Sequence, residues 1–149
     1  GWVSLHMHNV TDVEQGSDFF YLNTGSPHYI EYVDDAKAVD VFEAGKAVRY
    51  NDRFAAEGTN VNFVEVANGG LKVRTYERGV EDETLSCGTG VTAAAITASI
   101  KGLVPEQLCK IETLGGNLQV RLTQTSDQQF EDIWLEGPAT FVFKGEVEL

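Results

Sequence analysis

TGVTAAAITASIK, the stretch from Thr89 to Lys101, decides the fold. It carries no charge before Lys101, and Gly102 and Pro105 follow as stop signals, so it reads as one helix. Val91, Ala93, Ala94, Ala95, Ile96, Ala98 and Ile100 leave no polar face, and a helix apolar and small-sided all round must be covered all round. The neighbouring segments supply the cover. Downstream, Leu108 to Leu114 and Leu118 to Thr125 are β-rich runs around Gly115-Gly116-Asn117, and Phe130 to Glu136 and Thr140 to Glu146 flank Gly137-Pro138. Upstream, Asn60 to Ala67 and Leu71 to Glu77 flank Asn68-Gly69-Gly70, a strong hairpin signal.

Further out, Asp40 to Tyr50 reads as a second helix capped by Asp40, with Gly45 weakening its propensity. Phe19 to Asn23 and Tyr29 to Val33 are two short strands broken by Gly25-Ser26-Pro27, and Val3, Leu5 and Met7 alternate as a half-buried strand would. The expected fold is α+β: residues 1–149 form a single domain, a strongly curved, mostly antiparallel sheet or barrel wrapped around a central buried helix, with the second helix outside.

The 149 residues, 42% hydrophobic, suffice to bury a core. The longest uncharged run falls short of the roughly 18 to 20 apolar residues that span a bilayer. A net charge of −12 opposes nucleic acid and anionic membrane as partners. Two cysteines are too few for a disulfide scaffold, so the expected setting is reducing and cytoplasmic. With no initiator Met and no leader pattern, the chain reads as a segment of something longer. Asn9-Val10-Thr11 is a glycosylation sequon by pattern alone. His6 and His8 share a strand face but lack a third ligand at a recognisable spacing, so no metal is expected. Trp2 and Trp134 read as core or interdomain packing.

Chemistry concentrates just before the buried helix. Cys87-Gly88-Thr89-Gly90 sets a thiol at a helix N-terminus, where free amides and the helix dipole favour thiolate. The amides of Gly88 and Thr89 suit a carboxylate beside the sulfur. Glu77-Arg78, at a strand end a short loop upstream, suits an ammonium and a carboxylate on one substrate. The bland alternative is a buried cysteine, turn glycines and a solvated strand end.

Tyr76-Glu77-Arg78-Gly79 followed by Glu83-Thr84-Leu85-Ser86-Cys87-Gly88-Thr89-Gly90 closely resembles the second-cysteine signature of the diaminopimelate epimerase family. Gly25-Ser26-Pro27-His28 resembles the family's Gly-Asn-Pro-His, and Gly58-Thr59-Asn60-Val61-Asn62-Phe63 its Gly-Val-Asn-Val segment. The resemblance runs from about Tyr21 to the end. It implies one of two pseudo-symmetric halves, each a curved sheet around a helix and each with one catalytic cysteine. This chain resembles the second half; the first half's Cys-Gly-Asn motif is absent, and Cys109 reads as core.

The resemblance implies interconversion of LL- and meso-2,6-diaminopimelate, in lysine and peptidoglycan precursor synthesis. Cys87 becomes one acid/base thiol with His28 near it, and the Gly88 and Thr89 amides hold the reacting carboxylate. Asn60 and Arg78 take the distal carboxylate and Glu77 the distal ammonium. Ser26 stands where the family usually has Asn, and Val80-Glu81-Asp82-Glu83 is one residue longer than the usual loop. The implied partners are the amino-acid substrate, the other half of the enzyme and a second copy in a homodimer. No cofactor is expected, since nothing in the sequence suggests a pyridoxal phosphate sink. Three other readings stay open: a proline or hydroxyproline racemase of the same fold, a non-catalytic binding domain, and a thiol peroxidase or redox sensor using Cys87.

Overall fold

The structure is a computed structural model that describes residues 1–105, 107–138 and 145–148. Among the described residues ten strands form one sheet: β1 (Trp2–His6), β2 (Val13–Gln15), β3 (Phe20–Asn23), β4 (Pro27–Tyr32), β5 (Asn60–Ala67), β6 (Gly70–Glu77), β7 (Asp82–Thr84), β8 (Leu108–Thr113), β9 (Gly116–Ser126) and β10 (Gln129–Pro138). Their spatial order is β1-β10-β9-β8-β6-β5-β4-β3-β2, with β7 folded back on β6. Pairing is antiparallel except at β4 with β5 and β6 with β8.

The sheet is strongly curled: strands near both ends of its order, β3 and β10, reach the same helix. Beyond β1 the chain still follows β10, through Met7 N–H to Ile133 O at 2.8 Å and mutual bonds of Val10 and Phe130 at 2.9 and 2.7 Å. It then turns into β2 at the other end of the sheet order.

Inside the curl lies α2 (Gly88–Lys101), buried from Gly90 to Ala98 without interruption. The alanines are the cause: with methyl side chains on every face, β3, β4, β5, β6, β9 and β10 all reach the helix. Ile96 and Val91, both fully buried, each contribute roughly 1.5–3 kcal/mol. Thr92 and Thr97 keep their hydroxyls satisfied by donating to Gly88 O at 2.8 Å and Ala94 O at 3.0 Å. Gly102, at φ 67° and ψ 29°, ends the helix in the left-handed conformation.

The other helix, α1 (Val41–Arg49), packs outside, on β5, β6 and β7. Asp40 caps it, accepting from Glu43 N–H at 3.2 Å. Val41 joins Val61, Phe63 and Tyr76 in a second small core. Gly45, unfavourable by propensity, is what lets α1 approach this closely: a Cβ there would lie 2.6 Å from Tyr76 Cγ.

Both expected hairpins form. Asn68 and Gly69, at φ 56° and 75°, make the two-residue turn between β5 and β6, and Leu114-Gly115 joins β8 to β9. Four expectations are corrected. Gly137-Pro138 is strand, because Val3 and Trp2 pair with it, and Gly137 leaves room for Leu118. β1 is exposed at all five positions, having β10 on one side only. Trp2 is therefore 58% exposed and Trp134 is half-buried, stacked on His6, so the core alternative fails for both, while packing against another domain stays an expectation. Strands β2 and β7 lie in stretches that the sequence left as loops. The expected strand Thr140 to Glu146 lies mostly outside the described residues.

Candidate active site

Cys87 is the N-cap residue of α2, with extended backbone (φ −133°, ψ 110°), and its side chain makes no capping bond. The first helical bond runs from Val91 N–H to Cys87 O at 2.9 Å, which leaves the amides of Gly88, Thr89 and Gly90 pointing out of the helix end. The residue is partly exposed. Its loop is pinned from the far side by Gly115 N–H, which donates to Leu85 O at 2.8 Å.

A buried polar network lies beneath the thiol. The parallel pairing of β4 with β5 sets His28 opposite Asn60 and Ile30 opposite Asn62. His28 is fully buried; its Nε2 lies 2.7 Å from Thr89 Oγ1, and its Nδ1 lies 2.9 Å from Asn62 Nδ2. Thr89 Oγ1 is in turn 3.6 Å from Cys87 Sγ. Ser26 Oγ stands 3.2 Å from both His28 Nε2 and Thr89 Oγ1. Asn60 Nδ2 donates to Ser26 Oγ and to Pro27 O, each at 3.0 Å, while Asn60 Oδ1 accepts from the Arg78 amide at 2.7 Å. Asn62 donates to Tyr29 O at 3.1 Å and accepts from Thr75 Oγ1 at 2.7 Å. Thr24 donates to Thr89 O at 2.7 Å, tying the β3–β4 turn to the helix end.

Burial, and secondarily the positive charge of Arg78, push the His28 imidazolium down to about 3, so the ring is neutral near pH 7. Arg78 is exposed and donates to Glu57 O at 3.0 Å. The lengthened loop has a definite role: Glu81, at φ 60°, bonds Arg49 at 3.3 Å, the Gly79 amide at 2.9 Å and the hydroxyls of Tyr50 and Tyr76. Beyond it, Glu83 holds Arg74 in a two-point pair at 2.6 and 2.7 Å. Glu77 ends β6, half-buried and outside the network below Cys87. Cys109 is in the central core, 1% exposed, its thiol pushed up to about 12 by burial.

Thus Ser26, His28, Asn60, Thr89 and Cys87 come together, with Gly88 on the helix end and Arg78 joined through its backbone. Asn62, Thr75 and Thr24 belong to the same network and were not singled out from the sequence. A signal existed: Asn60 and Asn62, two apart on a buried strand, share one face, and two amides on an inward face need partners. Among the described residues no His, Cys, Asp and Glu cluster into a metal site, and no helix is long and apolar enough to cross a membrane.

This curled sheet around a helix that begins after Cys87 matches the fold of solved racemase and epimerase structures. A probable proline racemase from Agrobacterium radiobacter K84 superposes with a TM-score of 0.69 over 99% of this chain and 54% of its own, at 18% identity. A hydroxyproline epimerase from Agrobacterium vitis gives 0.65 over 91% and 49%, also at 18%. Within that class the sequence is specific. The profile of the diaminopimelate epimerase family matches residues 20–142, and the chain belongs to that family. The diaminopimelate epimerase of Flavobacterium psychrophilum is 43% identical over 95% of this chain and 56% of its own length. That of Aquifex aeolicus is 43% identical over 85% and 45%. The chain spans about half the length of the curated relatives it matches.

Proposed function

We propose that this chain is the second-cysteine half of a two-thiol epimerase that interconverts LL- and meso-2,6-diaminopimelate without pyridoxal phosphate. The observation that carries this reading is the partly exposed Cys87 at the open N-terminus of the buried helix. A substrate carboxylate seated on the amides of Gly88 and Thr89 brings its α-carbon to the sulfur. Cys87 acts on one face of that carbon as thiolate or thiol, and the second thiol, from the other half, acts on the opposite face. When Cys87 removes the proton, the C–H electron pair stays on the substrate and the opposite thiol donates its proton to the same carbon. The direction of reaction decides which sulfur begins ionised.

The groups around Cys87 are hydroxyls, amides and a neutral imidazole, which orient and exclude water but provide no electron sink. Arg78 takes the distal carboxylate and Glu77 the distal ammonium. Asn60 already donates to Pro27 and Ser26 and accepts from the Arg78 amide, so it acts on that end chiefly by fixing Arg78 and Ser26. His28 supports the thiol from below. The required partners are the other half of the enzyme and, in the full assembly, a second copy; thiol chemistry fits a reducing compartment such as the cytoplasm.

The test is Cys87→Ser in the protein carrying both halves. Epimerisation of LL-diaminopimelate falls by at least about 100-fold, since a hydroxyl cannot take the thiolate's part. Turnover near wild type overturns the proposal. Assaying proline and trans-4-hydroxyproline in parallel decides between the two substrate classes.

A further inference from the structure

The hydrogen-bond directions beneath Cys87 can be assigned from backbone groups whose roles are fixed. Tyr29 O only accepts, so the Asn62 atom bonded to it is the NH2, and that same atom faces His28 Nδ1. Thr75 Oγ1, on the other end of the amide, donates to Asn62 Oδ1 and agrees with this orientation. Nδ1 therefore accepts. A neutral imidazole that accepts at Nδ1 carries its proton on Nε2, so His28 donates to Thr89 Oγ1 at 2.7 Å. Asn60 is oriented by the same logic, its NH2 on Pro27 O and its oxygen on the Arg78 amide, so it donates to Ser26 Oγ. Of the three groups bonded to the Ser26 hydroxyl, Asn60 Nδ2 and the protonated Nε2 cannot accept, so Thr89 Oγ1 is the acceptor that the network offers its proton. With His28 and Ser26 both donating to it, the Thr89 hydroxyl has its own proton to give, and Cys87 Sγ lies 3.6 Å away.

We infer that Asn62 is a positioning residue that fixes His28 as the Nε2–H tautomer and thereby turns the Thr89 hydroxyl into a hydrogen-bond donor to the Cys87 thiolate. His28 then acts as an oriented donor within the fold and carries no proton to the substrate. Burial that keeps the imidazolium disfavoured is consistent with this neutral, fixed ring. The significance for catalysis rests on the two-thiol reading above, but the network itself is tested without turnover.

Nitrogen-15 NMR of the chain labelled at histidine reads the tautomer directly. The His28 resonances are expected to show a protonated Nε2 and an unprotonated Nδ1 at pH 7; a protonated Nδ1 in the wild type overturns the assignment. In Asn62→Asp the carboxylate accepts at that position, and Nδ1 becomes protonated; an Nδ1 that stays unprotonated removes Asn62 from the role. Thr89→Val lowers the rate of Cys87 alkylation by iodoacetamide at pH 7 on the order of fivefold, and Thr89→Ser restores it. Equal rates in Thr89→Val and wild type overturn the donor role of Thr89. The expected tautomer together with a Cys87→Ser enzyme that still turns over overturns the two-thiol reading and leaves the network assignment standing.

Discussion

Gly90 and Asn62 share one contact: a Cβ on Gly90 would lie 2.5 Å from Asn62 Oδ1 and 3.2 Å from His28 Cε1. The first turn of α2 can therefore sit against β4 and β5 only with a hydrogen at position 90. Propensity argues the other way, since alanine in a helix is favoured over glycine by about 1 kcal/mol. The clash wins, because both neighbours are buried and bonded on their far sides. Gly90→Ala should cost about 1–3 kcal/mol in denaturant unfolding and shift the His28 ring resonances. A more stable variant with unmoved resonances contradicts this account.

Gly45 in α1 poses the same contest away from the site. Its Cβ would fall against Tyr76, whose ring is 1% exposed in the outer core and has no room to retreat. Gly45→Ala should therefore destabilise by about 1–3 kcal/mol despite the better helix former. Thermal melting checks the sign: a raised midpoint means that α1 slides outward at little cost.

His28 links stability to pH. Its folded value of about 3 lies below the unfolded value near 6.5, so the unfolded chain binds the extra proton first. The stabilisation is complete above pH 6.5 and is lost as pH falls toward 3, with a limiting slope of about 1.4 kcal/mol per pH unit. Glu136, held near 2 by bonds from Arg121, Ser4 and Gln119, pulls in the same direction but only below its unfolded value of 4.5. Urea midpoints between pH 6.5 and 4.5 therefore isolate the histidine. His28→Gln should flatten that part of the curve by one proton, and an unchanged slope assigns it elsewhere.

The two thiols should differ sharply toward alkylation. Cys109 is shut in the core and its thiol is pushed up to about 12, whereas Cys87 is partly exposed. Iodoacetamide at neutral pH should label Cys87 with Cys109 unmodified until the chain unfolds. Peptide mapping by mass spectrometry decides; equal labelling under native conditions means that the core around Cys109 opens readily.

Much of this architecture was legible in residue patterns. The alanine-rich run named its own burial, and Asn68-Gly69 named a two-residue hairpin. What escaped depended on strand pairing that a local residue pattern does not show. Asp82 to Thr84 looks like loop until Thr75, Tyr76 and Glu77 offer it an edge, and Gly137-Pro138 looks like a turn until Trp2 and Val3 lie beside it. The same holds for the site. Cys87, Ser26, His28, Arg78 and Asn60 carry recognisable motifs, but the part played by Asn62 appears only when the parallel register of β4 and β5 sets its amide between Tyr29 O and the His28 ring. The Thr89 side chain likewise acquires meaning only through what donates to it.

The mutual bonds of Val10 and Phe130, which carry the chain along β10 beyond β1, join residues 120 positions apart, as their numbering gives directly. A chain emerging from the ribosome has β2 to β6 and the whole of α2 available long before Phe130 exists. Until then the alanine face of α2 that β9 and β10 will cover stands open to water, and contacts of such long sequence separation form slowly. The nascent protein thus passes through an interval in which its most apolar helix is a target for chaperones or for aggregation, and that interval ends only with the delivery of β10.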